Sequence, residues 1–382
     1  MNKKRIISYV TTYDALNVHN WSGLGYYIAK SLEQQKYELD YIGNLKLKTN
    51  IKERLKSKVY KIILNKTFSL DREPDIIDQY AKQILAKMRP DSDLVFSPGT
   101  IPISLLETNK PKVFYTDATF AGMLDFYDNF SNYCKETIRH GCYIEQKALD
   151  SAKMAIYSSD WAAQTAIDNY DVNPDKIKVV PFGANIEGSK TYNEIQTIVS
   201  ARPVSECHLL LLGVEWKRKG GNMAVEVAKK LNDMGIKTVL HIAGIKNIPL
   251  SPIPPFIVNH GFISKANNEG KERLNSLLSK CHFLILPVKA EAYGLVFCES
   301  NSFGVPCISN NVGGVSTIIK NGINGMLFSV NDSAEAYATY IQSVFTNQKA
   351  YNELAYSSFN EYSQRLNWDV AGKALARLLE MV

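Results

Sequence analysis

The sequence predicts an α/β chain of two successive doubly wound units, each a mostly parallel sheet covered on both faces. Three observations predict it. At 382 residues the chain is long for a single hydrophobic core, so two domains are the natural expectation. Short apolar runs ended by Gly, Pro or polar residues alternate with longer helical patterns, the βαβα order that gives a parallel sheet. The alternation then starts afresh after about residue 186.

In the first half, RIISYV (5–10), LVFSPG (94–99), KVFYTD (112–117), MAIYSS (154–159) and IKVVPFG (177–183) read as buried strands. Helical periods fill 24–35, 74–89 and 131–150. In the second half the strands are HLLLLGV (208–214), KTVLHIAG (237–244), IVNHGFI (257–263), CHFLILPV (281–288) and VPCISN (305–310). Helical periods lie at 221–234, 270–280, 294–303 and 332–346. The boundary falls in the polar stretch 184–206, which gives a first domain over 1–186 and a second over 187–365. The final segment, 351–382, is helical with a break near Leu366-Asn367-Trp368.

Composition is ordinary for a globular chain, with 45% hydrophobic and 21% charged residues, and the net charge of +6 is a mild excess. The six cysteines form no C-x-x-C pair and several sit in apolar runs, which favours reduced thiols over zinc or a disulfide scaffold. The histidines show no H-x-x-x-H pairing, so a histidine metal site has no support. The start, MNKKRIISYVTT, has too short an apolar run for a signal-peptide core, and no later run approaches ~18 residues. A cytoplasmic protein that does not span a membrane is expected.

The excess positive charge is concentrated. Residues 44–66 hold Lys46, Lys48, Lys52, Arg54, Lys56, Lys58, Lys61 and Lys66 against one acid, Glu53. Ile51, Leu55, Ile62 and Ile63 share one helical side, so the segment reads as a basic amphipathic helix. It is either a dock for anionic membrane or a lipid-linked acceptor, peripheral on the inner face, or a solvated surface helix. Nucleic acid is a poor partner, because the basic segment is isolated and no binding module accompanies it.

The chemistry concentrates in LPVKAEAYGLVFCESNSFGVPCISNNVGGVSTIIKNGINGMLF. A strand ends in a loop carrying Glu291 and Ala292, and a helix opens around Tyr293, Gly294 and Leu295. Its first amides lack intrahelical acceptors and sit at the positive end of the helix dipole. Gly294 lets an anion approach the backbone, so this is a phosphate site. Glu299 follows Glu291 by eight residues. A second element, LLLLGVEWKRKGG, places Arg218 and Lys219 after a strand, where they can neutralise a diphosphate. A third, HNWSGLGYY, has Gly23 and Gly25 in a tight loop before a helix. Ile28 stands where a dinucleotide fingerprint needs glycine, which excludes the dehydrogenase reading.

Glu291 and Glu299 match the E-x7-E signature of retaining GT-B glycosyltransferases, and their surroundings, with Gly304, Pro306, Gly313, Gly314, Asn324 and Gly325, resemble glycosyltransferase family 4. The resemblance implies two facing Rossmann-like domains with a central cleft, donor mainly in the C-terminal one, and a C-terminal helix (366–382) returning to the N-terminal one. It implies that Glu291 contacts the donor sugar, Glu299 the ribose, and the intervening amides the diphosphate. Lys217-Arg218-Lys219 resembles the family's basic element, with Val214 where many relatives have Arg. Tyr293 replaces the usual Phe. Gly23 and Gly25 resemble the loop that lies against donor phosphates and acceptor.

Asp117 ends a strand, where it serves either as an acceptor-side, sugar-orienting or basic group or as a cap for the helix after it. His19 is a second candidate on the acceptor side. Asp91-Ser92-Asp93 mimics a metal-binding D-x-D, but it precedes its strand and reads as a turn. The expected activity is therefore retaining, metal-independent transfer from a UDP- or GDP-sugar to a hydroxyl, in glycan or glycoconjugate biosynthesis, with no cofactor. A sugar-nucleotide epimerase and a non-catalytic sugar-nucleotide binder are the alternatives.

Overall fold

The computed structural model describes residues 4–49, 51–188 and 190–382. Met1–Lys3, Asn50 and Ser189, which belong to the basic start, the basic segment and the expected boundary, lie outside the described residues. The chain divides into two compact units, Met1–Pro181 with Trp368–Val382, and Phe182–Asn367.

The first unit runs β1 (Ile6–Val10), α1 (Leu24–Gln34), β2 (Glu38–Ile42), α2 (Ile51–Ile63), α3 (Pro74–Lys87), β3 (Leu94–Ser97), β4 (Lys112–Thr116), α4 (Phe120–Met123), α5 (Lys135–Ser151), β5 (Met154–Tyr157), α6 (Asp160–Asn169) and β6 (Ile177–Val179). Its strands pair in parallel in the order β2-β1-β3-β4-β5-β6. All residues of β1, β3, β4 and β5 are buried, which is why their runs are mainly apolar rather than alternating, with Ser8, Ser97, Lys112 and Thr116 as buried polar residues.

The second unit runs α7 (Tyr192–Ser200), β7 (Cys207–Leu212), α8 (Gly221–Asp233), β8 (Thr238–Ala243), β9 (Ile257–Gly261), α9 (Asn268–Lys280), β10 (Phe283–Leu286), α10 (Leu295–Asn301), β11 (Cys307–Asn310), α11 (Val315–Ile318), β12 (Gly325–Phe328), α12 (Ala334–Phe345) and α13 (Gln348–Arg365). The parallel order is β12-β11-β10-β7-β8-β9. The chain therefore reverses its direction of winding between β7 and β10. Loops at such a switch point diverge and leave room for a ligand at the strands' carboxyl ends.

Helix α14 (Trp368–Leu379) closes the chain and belongs to the first unit. Trp368 stacks on Tyr27 with ring centroids 6.2 Å apart, and Arg5 Nη1 donates to the Leu379 carbonyl. Gly372 lies so close to α1 that an added Cβ would stand 2.9 Å from the Ser31 carbonyl oxygen.

Strands β2 and β12 have no counterpart in the apolar runs. Both are sheet edges with few fully buried residues, so burial leaves little mark on their sequence. The units part at Pro181–Phe182, a few residues ahead of 186. The Phe182 carbonyl accepts from Tyr293 Oη at 2.6 Å, which fastens the linker's start to the second unit.

The second sheet also aligns histidines that are far apart in sequence. His208 Nδ1 and His241 Nε2 lie 2.9 Å apart, and His241 Nδ1 and His260 Nε2 lie 2.9 Å apart. The His208 amide donates to His282 Nδ1 at 3.0 Å. The row crosses β7, β8 and β9 from a start just before β10. Burial lowers His241 and His282 to about 3, with neighbouring His208 and Arg202 charges adding to it, and lowers His208 and His260 as well. The unfolded chain binds these protons near pH 6.5 and the folded chain does not, so stability is complete above that pH and declines as pH falls from it toward 3. The opening free energy of β7 and β8, from amide exchange corrected for the intrinsic pH dependence of exchange, should fall between pH 6.5 and 5 by up to about 1.4 kcal/mol per pH unit for each histidine. A flat profile would contradict the row's neutral state.

Candidate functional site

The densest charge cluster of the second unit sits at its switch point. Strand β7 ends at Leu212, Gly213 follows, and Glu215–Lys219 make a tight turn in which the Lys219 amide donates to the Glu215 carbonyl at 3.0 Å. Gly220 then takes φ +74° and α8 begins. A Cβ at Gly220 would stand 2.1 Å from the Pro287 carbonyl oxygen, so only glycine lets this turn press against the loop after β10. The Lys219 stem lies across Gly213, where a Cβ would meet Cγ at 2.9 Å. The Lys289 amide donates to the Arg218 carbonyl at 2.9 Å, locking the two loops together.

This locking brings Glu291 onto both cations. Lys219 Nζ donates to Glu291 Oε2, and Arg218 Nη1 reaches the same oxygen at 3.1 Å and the Ala290 carbonyl at 3.1 Å. Arg218 Nε is held by Glu215. Glu291 and Lys219 are buried, and two cations face two carboxylates. Burial alone would push the Glu291 carboxyl up, but the Lys219 and Arg218 charges outweigh it and hold it below the usual carboxylate range. The sequence assigned Glu291 to a sugar and the cations to a diphosphate; the structure couples them in one network.

Around this network Gly294 takes φ +97° and caps α10, with Phe297 Cδ2 2.5 Å from where its Cβ would be. Ala292 and Tyr293 are buried, and Tyr293 donates its hydroxyl to the Phe182 carbonyl, which anchors its ring. Helix α10 starts at Leu295. The loop is held from behind, since Asn310 Nδ2 donates to the Val288 carbonyl at 3.0 Å and Tyr337 Oη donates to Asn310 Oδ1. Glu299 is fully buried in α10; Lys265 donates to its Oε1, while Oε2 has no partner. Lys265, Glu215 and Asn310 escaped the sequence reading. Lys265 and Glu215 each follow the carboxyl end of a strand, a position that could have flagged them.

The remaining candidates lie in the first unit. Trp21, Ser22 and Gly23 all have positive φ, so the loop before α1 is strained at two non-glycine residues. Gly23 caps α1 at φ +84°. Gly25 is not in the loop but in the helix; its Cβ would meet Tyr13 Oη at 2.7 Å, and its carbonyl accepts from Tyr9 Oη. Tyr13 is raised by burial and then by the charge of Asp117. Tyr13 was also missed. Asp117 follows β4, but the cap of α4 is Thr119, whose Oγ1 accepts from the Gly122 amide at 3.0 Å. His19 is exposed.

Asp91-Ser92-Asp93 forms a turn. Asp91 pairs with Arg89, Asp93 Oδ2 accepts from the Ile6 amide at 2.7 Å, and Ser92 bonds Ser8. Among the described residues, Glu73, Glu136 and His140 have metal-compatible spacing, yet Glu136 is engaged by Lys56 and Tyr60 and Glu73 by His140.

Residues 200–361 match the family model described as Glycosyl transferases group 1. A protein of Klebsiella pneumoniae described as "Uncharacterized 41.2 kDa protein in cps region" is 26% identical over 232 residues, 60% of each chain. A D-inositol 3-phosphate glycosyltransferase of Paenarthrobacter aurescens is 26% identical over 194 residues, 48% of this chain and 47% of that one. The chain thus spans about half the length of the curated relatives it matches. The crystal structure of Anabaena HepE in complex with UDP and glucose superposes over 100% of both chains, with a TM-score of 0.64 and 13% identity. The fold is the GT-B one, with two Rossmann-like α/β domains.

The network makes a stability prediction. Glu291→Ala strands a buried ammonium and should lower the unfolding free energy by about 3 kcal/mol. Adding Lys219→Met should recover part of that loss, as a denaturant double-mutant cycle would show.

Proposed function

We propose that the chain is a retaining glycosyltransferase of the GT-B type, in glycosyltransferase family 4. It moves a sugar from a nucleoside-diphosphate donor, a UDP- or GDP-sugar, to an acceptor hydroxyl without a metal ion. The observation that carries the reading is the buried Glu291 on Lys219 and Arg218, at the switch point of a domain that matches a glycosyltransferase family model. The relatives' names support it, one being a glycosyltransferase and one structure holding UDP and glucose.

On this reading the bond between the anomeric carbon and the diphosphate oxygen breaks, and its electron pair leaves with the nucleoside diphosphate. Negative charge grows on that oxygen, where Lys219, Arg218 and the amides around Gly294 oppose it. Such groups assist catalysis because they are oriented before the charge appears. In the ligand-free protein Glu291 performs that orienting, and it holds two cations at a protein interior that would otherwise reject them. With donor present, the phosphates take over as counterion and Glu291 turns its free oxygen to the sugar's hydroxyls. Glu299 holds the ribose. The acceptor hydroxyl then bonds the anomeric carbon on the face the leaving group vacates and passes its proton to a base on the acceptor side. Asp117 is the carboxylate assigned to the acceptor side, with His19 as the weaker candidate.

Thermal shift across UDP-, GDP- and ADP-sugars should show stabilisation by one nucleotide class. In the matching transfer assay, with chelator present, Lys219→Ala should lower turnover roughly 10²–10³-fold, about 3–4 kcal/mol of barrier. Near-normal turnover of that variant, or loss of activity to the chelator, would contradict the proposal.

A further inference from the structure

Helix α2 is built inside out. At 3.6 residues per turn, Glu53, Lys56, Ser57 and Tyr60 share one side, and these are its partly covered residues. Lys56 Nζ pairs with Glu136 at 2.6 Å, Tyr60 Oη donates to the same carboxylate at 3.1 Å, and the Tyr60 ring stacks on Phe68 at 5.3 Å. The inward face is therefore polar and aromatic. The outward face carries Ile51, Leu55, Val59, Ile62 and Ile63, with Ile51, Ile62 and Ile63 between 72% and 79% exposed. No residue of the helix is buried.

Surface helices of globular domains point their apolar stripe at the core, and a stripe aimed at water has to be covered by something else. The flanks say what. Lys52, Arg54, Lys58 and Lys61 border the stripe, and Lys66 follows it; all five are exposed. An apolar stripe edged with cations matches an anionic lipid surface, where acyl chains take the isoleucines and headgroups take the charges.

The presentation is also fixed. The strand-like approach to α2 is stitched to α3 by Gln79 and Gln83, whose side-chain amides bond the backbones of Lys48 and Lys46 at 2.7–2.9 Å. After the helix, the Thr67 amide donates to Asn132 and its carbonyl accepts from Cys134, both at 2.9 Å. The helix is thus held at both ends and by Glu136 in the middle, with its stripe turned away from the unit.

We propose that α2 is a monotopic docking element that lays its isoleucine face into the surface of an anionic bilayer. The proposal does not depend on the transfer reaction, and none of its residues belongs to the donor site. Co-sedimentation of the full chain with phosphatidylcholine vesicles, with and without phosphatidylglycerol, tests it. Binding should require phosphatidylglycerol and weaken with salt. Lys58→Gln with Lys61→Gln should weaken it by about fivefold per cation. Ile62→Ser with Ile63→Ser should weaken it at least about tenfold, because two buried side chains leave the acyl region. These exposed positions leave the fold intact, and water-soluble donor turnover should be unchanged in both variants. Absence of binding to either vesicle would overturn the proposal. So would binding that the isoleucine pair leaves unaltered, or a dimer in sedimentation velocity that the same pair dissolves.

Discussion

A single carboxylate shared by two cations organises the second domain's ligand end. Glu291 and Lys219 are both buried, and either charge alone would be expelled from such a place. Together with the partly buried Arg218, itself paired with the exposed Glu215, they balance two cations with two carboxylates. The consequence is that positive charge waits at the carboxyl ends of β7 and β10 in a fixed geometry. An entering anion meets groups already dehydrated and aimed, so little reorganisation is left for the moment of reaction.

The backbone around the network is shaped to permit it. Gly213 makes room for the Lys219 stem, Gly220 lets the basic turn touch the Pro287 carbonyl, and Gly244 approaches Gly213 so closely that a Cβ would stand 2.4 Å from its oxygen. These three contacts bring the ends of three neighbouring strands closer than any side-chain-bearing backbone could. Asn310 and Tyr337 then brace the loop from the protein side. Positioning is spread over several elements, while the charges of the network come from the two loops after β7 and β10.

What could be read from sequence follows from how strongly burial selects residues. The central strands, buried on both faces, are mainly apolar runs and were legible; of the edge strands, β6 and β9 were read from their apolar residues and β2 and β12 were not. Motif residues were legible where they lie close together along the chain, as for Glu291, Gly294 and Glu299 in one loop and the helix it opens. Partners contributed from afar were not. Lys265 meets Glu299 across 34 residues, Asn310 meets Val288 across 22, and Tyr13 meets Gly25 only through the path of a strained loop. Nor does any local pattern foretell that four histidines would line up across neighbouring strands, or that α2 would turn its apolar side outward. Amphipathicity gives a helix two faces, and tertiary contacts decide which one looks in.

The central claim is that Lys219 and Arg218 exchange Glu291 for a diphosphate. The most direct measurement is a crystal structure of the protein soaked with UDP or GDP. Phosphate oxygens within hydrogen-bonding distance of Lys219 Nζ and Arg218, with Glu291 no longer bonded to both, is the predicted result. A nucleotide bound elsewhere, with the Glu291 network undisturbed, would contradict it.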